Sequence, residues 1–343
     1  MTESAEQLAL RERLERGQTL LFAARNSLER LQAYLLIGDA QHDLAEYQAA
    51  QETFLKAEAL ARLLEHPQWI AEALVGRVRV AGGQSQYAEV IKAAKEAVAL
   101  AQQAGDSSTL AKTLYWLGNT EFYLGSLSTA RGHLEESLQV VALTGDPLRL
   151  ASTMTLLGRL EGQAGRLRQR IELLQEALKI NLEFGYQKGI AMCLTGLSWS
   201  TLLDGQYSES ERLSQQSLAL FRQQGSKWAI ANALLNLSHA QTAQGNTSAA
   251  KINLLEALEI ASQINSANLL LELLVAAART EANVLLARQW VRIAVMHPNS
   301  TAELRSFAAP DIERLEVALK PVDEASLRNC LAEVKKQLLA TSH

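Results

Sequence analysis

Cysteine, proline and aromatic side chains are scarce in this chain. Of 343 residues only Cys193 and Cys330 carry thiols, five are proline, and Phe, Trp and Tyr together make up 5%. Two distant cysteines exclude a disulfide-stapled scaffold, and Cys193, beside an apolar stripe, reads as a packing residue. Long apolar runs are missing too. The longest stretch, Leu269 to Ala278, is broken by Glu272 and falls short of the ~18 residues of a membrane span. Met1-Thr-Glu-Ser-Ala-Glu-Gln7 lacks the basic-then-apolar layout of a signal peptide. A cytoplasmic protein with no membrane partner is therefore expected.

Charge and chemistry are equally sparse. A net charge of −4 and a pI near 6.0 leave no basic excess of the kind a general nucleic-acid binder carries, so nucleic acid is not an expected partner. His42, His66, His133, His239, His297 and His343 are mostly in different segments, and none pairs with Cys or Glu at metal-ligand spacing. Gly82-Gly83 follows no strand signal and reads as a turn rather than a phosphate cradle. Arg166, Arg168 and Arg170 form a basic cluster at a turn, read as solvated surface or an anion contact. With no acid, base and nucleophile constellation, no cofactor and no enzyme activity are expected.

What is present is a period of forty residues. Trp69–Leu74, Thr109–Leu114, Arg149–Met154, Gly189–Leu194, Ala229–Leu234 and Leu269–Leu274 align on one another. Gly105, Gly145, Gly185 and Gly225 keep the same step, and so do Gly125, Gly165, Gly205 and Gly245, half a repeat later. Such a period predicts a solenoid, whose units bury their apolar faces by stacking on neighbours.

Residues 109–148 serve as the type unit. Leu110, Ala111, Leu114, Leu117 and Gly118 follow helical spacing, as do Leu127, Ala130, Leu134, Ser137, Leu138 and Val141. Gly125 and Gly145-Asp146-Pro147 end the two helices, with Asp146 and Pro147 suited to start the next. Small residues recur at 118, 158, 198 and 238, and at 57, 97, 137, 177, 217 and 257, where paired helices must approach closely.

These columns resemble the tetratricopeptide repeat. The match is best at Tyr34, Ile37, Gly38, Ala50, Phe54 and Ala57, and departs in the second unit, where Val78 replaces the glycine beside Val90 and Ala94. The closing proline of that family is missing, and the unit is forty residues long rather than ~34. The extended form resembles the repeats of kinesin light chains, spindle-orientation adaptors and bacterial regulatory ATPases. Trp290 to Thr301, with Leu304-Arg-Ser-Phe307, looks like the close of repeat regions in bacterial signalling ATPases and activators, with only the sensor half represented here.

The expectation is an all-α, right-handed superhelical solenoid. A helical cap spans 1–28. Seven units follow at 29–68, 69–108, 109–148, 149–188, 189–228, 229–268 and 269–298, and a second cap spans 299–343. By the same resemblance the first helix of each unit lines a concave groove, and the position after the small Gly/Ser column projects into it. That column reads Asp39, Arg79, Asn119, Arg159, Trp199, His239, Arg279, bases outnumbering acids, with Lys112, Tyr115, Trp116, Asn232 and Asn236 nearby. Arginine holds carboxylates bidentately, Asn bonds a peptide backbone, and His239 adds a pH-sensitive donor.

These residues point to a non-catalytic scaffold that binds an acidic or extended protein or peptide segment. The alternatives are a signal-sensing module for a small molecule or partner, and an assembly scaffold that works through its convex face or ends. Open ends also leave room for self-association.

Overall fold

The computed structural model describes residues 5–44, 46–84, 86–264, 266–298, 300, 302–317, 322 and 324–340. Residues 1–4 and 341–343 of the expected caps, and Pro321 within the second, lie outside them. Every described element is an α-helix. After α1 (Ala5–Ala23) come α2 (Ser27–Asp43) and α3 (Tyr47–Leu63), α4 (Pro67–Gly83) and α5 (Tyr87–Ala104), α6 (Ser107–Tyr123) and α7 (Leu127–Thr144), and α8 (Pro147–Gln163) and α9 (Leu167–Glu183). The pairs continue as α10 (Gln187–Leu203) and α11 (Tyr207–Gln224), α12 (Lys227–Ala243) and α13 (Thr247–Gln263), and α14 (Ala267–Thr280) and α15 (Val284–Met296). Two short helices, α16 (Ala302–Phe307) and α17 (Ala309–Arg314), precede α18 (Glu324–Ala340).

First helices start at Ser27, Pro67, Ser107, Pro147, Gln187, Lys227 and Ala267, a strict forty-residue step. The start signals act where the sequence puts them. Asp106 accepts from the Thr109 amide at 3.0 Å and Asp146 from the Arg149 amide at 2.9 Å, each satisfying one of the open donors of a helix N-terminus. The stop signals are backbone conformations. Gly105, Gly145, Gly185 and Gly225, with the alternate column from Gly125 to Gly245, all have φ between +63° and +80°, where a side chain would be strained. Glu65 stands forty residues before Gly105 and takes the same left-handed turn at φ +50° without being glycine. Periodicity in glycine alone did not reveal that position.

Packing follows side-chain volume. Ala57, Ala97, Ser137, Ala177, Ser217 and Ala257 are all fully buried. A β-carbon on Gly118 would lie 2.6 Å from Leu134, and one on Gly38 would lie 2.8 Å from Phe54, so these helix pairs close only over glycine. The second unit reverses the sizes. Val78 stands on the first helix and Ala94 on the second, both fully buried in one core, which conserves volume. A third solution is polar: Ser198 and Ser214 share a 2.5 Å hydrogen bond, with the Ser210 hydroxyl donating to the Ser198 carbonyl at 2.8 Å.

The chain divides into two compact units. The first comprises 1–164 with 179–184, and the second 165–178 with 185–343, so α9 contributes to both. In the first, α1 packs on α2, and the first helices α2, α4, α6 and α8 touch one another in turn. In the second, α10, α12 and α14 touch in the same way, and α18 lies against α13, α14 and α15. Its core contains Leu234, Leu271, Leu273 and Trp290, joined by Leu304, Ala308 and Leu315 from the α16–α17 segment.

Candidate functional site

Residues forty apart in sequence become side-by-side neighbours on successive first helices, as stacking requires. In the first unit Arg79 of α4 donates to Asp39 of α2 and, at 3.0 Å, to Asp43 one turn further on. Arg13 of α1 reaches the same two carboxylates at 3.5 and 3.1 Å. Burial raises the Asp43 carboxyl, but the His42 hydrogen bond and the charges of Arg79, His42 and Arg13 outweigh it and hold the group below its usual range. Arg79 is thus a neutralised cation.

Lys112 of α6 pairs with Glu72 of α4 at 3.3 Å, another forty-residue contact. The Arg149 guanidinium of α8 lies 5.6 Å from the Tyr115 ring centre. Arg159 of α8 covers Phe122 at 4.8 Å and Tyr123 at 5.6 Å, and the Tyr123 ring stacks on Tyr87 at 6.2 Å. Asn119 is half-buried on α6. The first unit therefore places Lys112, Tyr115, Asn119 and Arg159 on adjacent first helices, with Lys112 paired to Glu72 and Arg79 to two aspartates.

The second unit differs from the open donor face expected. Asn236 is 5% exposed, and its amide donates to the Thr195 carbonyl at 3.3 Å. His239 is also 5% exposed, with Trp199 5.8 Å away. Burial, and secondarily the Arg279 charge, push its imidazole well below the ordinary histidine value. A ring held neutral in that way offers no charge switch near neutral pH. Asn232 remains half-buried.

The α16–α17 segment supplies the physical reason. Phe307 lies 4.7 Å from Trp199, 5.1 Å from His239 and 4.1 Å from the Arg279 guanidinium. Asp311, 4% exposed, accepts from Arg279 Nε at 2.9 Å and pairs with its Nη2 at 2.8 Å. Arg279 Nη2 also donates to the Phe307 carbonyl at 3.1 Å. Neither Phe307 nor Asp311 carries a forty-residue signal. Asp43 was legible, since it falls one helical turn after Asp39 on the same face.

Among the described residues no group of three His, Cys, Asp or Glu is placed to hold a metal, and no helix is long and apolar enough to cross a membrane.

The tetratricopeptide repeat profile matches residues 109–183 and 185–263, and a second profile of the same description matches 31–62. The chain belongs to the tetratricopeptide repeat family. No curated protein sequence matches it. Among solved structures, a Rap protein complexed with competence and sporulation factor is 13% identical, with TM-score 0.64 over 99% of this chain and 89% of that one. The apo form of the quorum sensor NprR from B. thuringiensis is 13% identical, with TM-score 0.60 over 96% and 92%. A signal transduction ATPase with a tetratricopeptide repeat sensor from Pyrococcus horikoshii is 14% identical, with TM-score 0.55 over 98% of this chain and 53% of its own length. At these identities the likeness is one of fold.

Proposed function

We propose that this protein is a non-catalytic binding module that holds a protein or peptide segment, acidic or extended, in the groove lined by its first helices. In the first unit the contributing residues are Lys112, Tyr115, Asn119 and Arg159, with Arg79 held by Asp39 and Asp43 rather than offered as an open cation. In the second they are Trp199, Asn232, Asn236, His239 and Arg279. The observation that carries the reading is the arrangement around Arg159. A guanidinium is spread over Phe122 and Tyr123, and Lys112, Tyr115 and Asn119 lie on the neighbouring first helix. Such a surface offers charge, flat apolar area and backbone-bonding amides together, as recognition of an extended segment demands. In the second unit Asn236 and His239, being interior, act as the floor of the groove rather than as open donors.

A sensing role is a second reading. It is supported by the fold shared over nearly the whole chain with a quorum sensor and with the sensor of a signal transduction ATPase.

The test is selection of binders from a random peptide display library on the full chain, repeated with Arg159→Glu and with Arg168→Glu. The Arg168 side chain is 94% exposed, on the second helix of its pair. Enrichment of carboxylate-rich peptides is expected, lost with Arg159→Glu, kept with Arg168→Glu, and weakened by salt as charges are screened. Normal binding by Arg159→Glu together with loss in Arg168→Glu would replace the groove with an outer-face scaffold.

A further inference from the structure

The face of the second unit is already occupied by the chain itself. Phe307 fills the space between Trp199, His239 and Arg279, and Asp311 and the Phe307 carbonyl take up the Arg279 donors. We propose that the segment Ala302–Leu315 is a displaceable internal occupant of this groove. Its natural competitor is then a protein segment that presents an aromatic ring and a carboxylate four residues apart. The inference rests on the groove reading above, and it specifies what the second unit recognises.

The contacts are those an incoming peptide would make. An aromatic ring sits against an indole, an imidazole and a guanidinium, which combines tilted and edge-on ring contacts with cation–π attraction. A carboxylate accepts from Nε of the same arginine and pairs with its Nη2, which donates to a main-chain carbonyl. Phe307 closes α16 and Asp311 lies on α17, and across the interruption at Ala308 ring and carboxylate reach Arg279 together.

The occupant is poorly able to hold its own shape. α16 and α17 are six residues each, interrupted at Ala308, and isolated helices below ~12–15 residues are marginal in water. The segment ends at Glu316, whose φ of +47° is unfavourable for a residue with a side chain. Leu304, Ala308 and Leu315 anchor it in the core of the second unit. Its order therefore comes from docking. A tethered segment competes at an effective concentration in the mM range, so the apparent affinity of an external peptide is reduced by the fraction of molecules in which the groove is open.

The probe is a fluorescein-labelled peptide of residues 302–317, titrated against the full chain and against Phe307→Ala/Asp311→Asn. Removal of the internal ring and carboxylate raises the open fraction, so the double variant is expected to bind roughly tenfold tighter or better. A peptide carrying the same two changes is expected not to bind. A double variant with an intact helical spectrum that binds no better than the unaltered chain overturns the proposal.

A second measurement stands even if that variant unfolds. In the unaltered chain, backbone amides of 304–315 are expected to exchange with solvent faster than those of α12, because the segment opens locally. Exchange as slow as in α12 and α14 would make it a fixed part of the fold and overturn the inference. If these tests fail while Arg159-dependent peptide selection persists, only the internal occupant falls. If Arg159-dependent selection is absent, the groove reading itself falls.

Discussion

Glu65 shows what the repeat demands of a single backbone position. It turns left-handed at φ +50° where the next four repeats place glycine, and an L-residue there is strained by roughly 1–2 kcal/mol. Glu65→Gly is therefore expected to stabilise the chain by about 1 kcal/mol, seen as a higher urea midpoint with an unchanged slope. Gly118 is constrained by space rather than by φ. Gly118→Leu would overlap Leu134 and is expected to lose roughly 1–3 kcal/mol, whereas Gly125→Ala, with open space around it, suffers only backbone strain. Equal, negligible losses at both would contradict this packing. His239 yields a pH prediction. It feels the charge of Arg279 of α14, which is itself paired to Asp311 of α17, and its folded pKa is below the unfolded value near 6.5. Between the two values the unfolded chain binds more protons, so the contribution is present above pH ~6.5 and is lost as pH falls toward the folded pKa. His239→Gln is expected to flatten the decline in stability on acidification from pH 7 to 5, measured by urea unfolding at each pH.

At the scale of the element, helices begin where a cap is written and end where the backbone can reverse. Asp146 caps α8 through the Arg149 amide, and Pro147 occupies the first turn, where its missing N–H is harmless. Asp146→Ala is expected to lower stability by about 1 kcal/mol, and Asp146→Ser to recover most of it, in equilibrium denaturation. Such local terms propagate only to neighbours in a stacked array. The reversal of volume at Val78 and Ala94 belongs to the same scale. Each helix pair conserves a packed volume, not a residue identity, so the unit that carries valine in the small-residue column keeps the pairing.

At the scale of the whole molecule, both thiols lie in the second unit, buried. Burial, with the Glu333 charge, pushes the Cys330 thiol up to about 12, so it reacts only when that unit opens. Thiol labelling in urea therefore reports the second unit alone. Gly118→Leu, in the first unit, is expected to shift the unfolding of its own helices further than the labelling midpoint. Coincident shifts of equal size would mean that the array unfolds as one cooperative body.

The period by itself determined the fold. Apolar columns at helical spacing, glycines at two fixed offsets and caps at Asp106 and Asp146 act locally, and local rules can be read along a chain. The stacking of positions 39 on 79 and 199 on 239 was legible for the same reason, because a constant step puts equal positions side by side. What only the tertiary structure decided is which of those side chains are open. Arg79 is claimed by Asp39 and Asp43, Asn236 by a backbone carbonyl, and Arg279, Trp199 and His239 by Phe307 and Asp311. The last contacts come from a segment outside the repeat, where no column predicts a neighbour. Its docking is a matter of surface complementarity between distant parts of the chain, which no spacing along the sequence encodes.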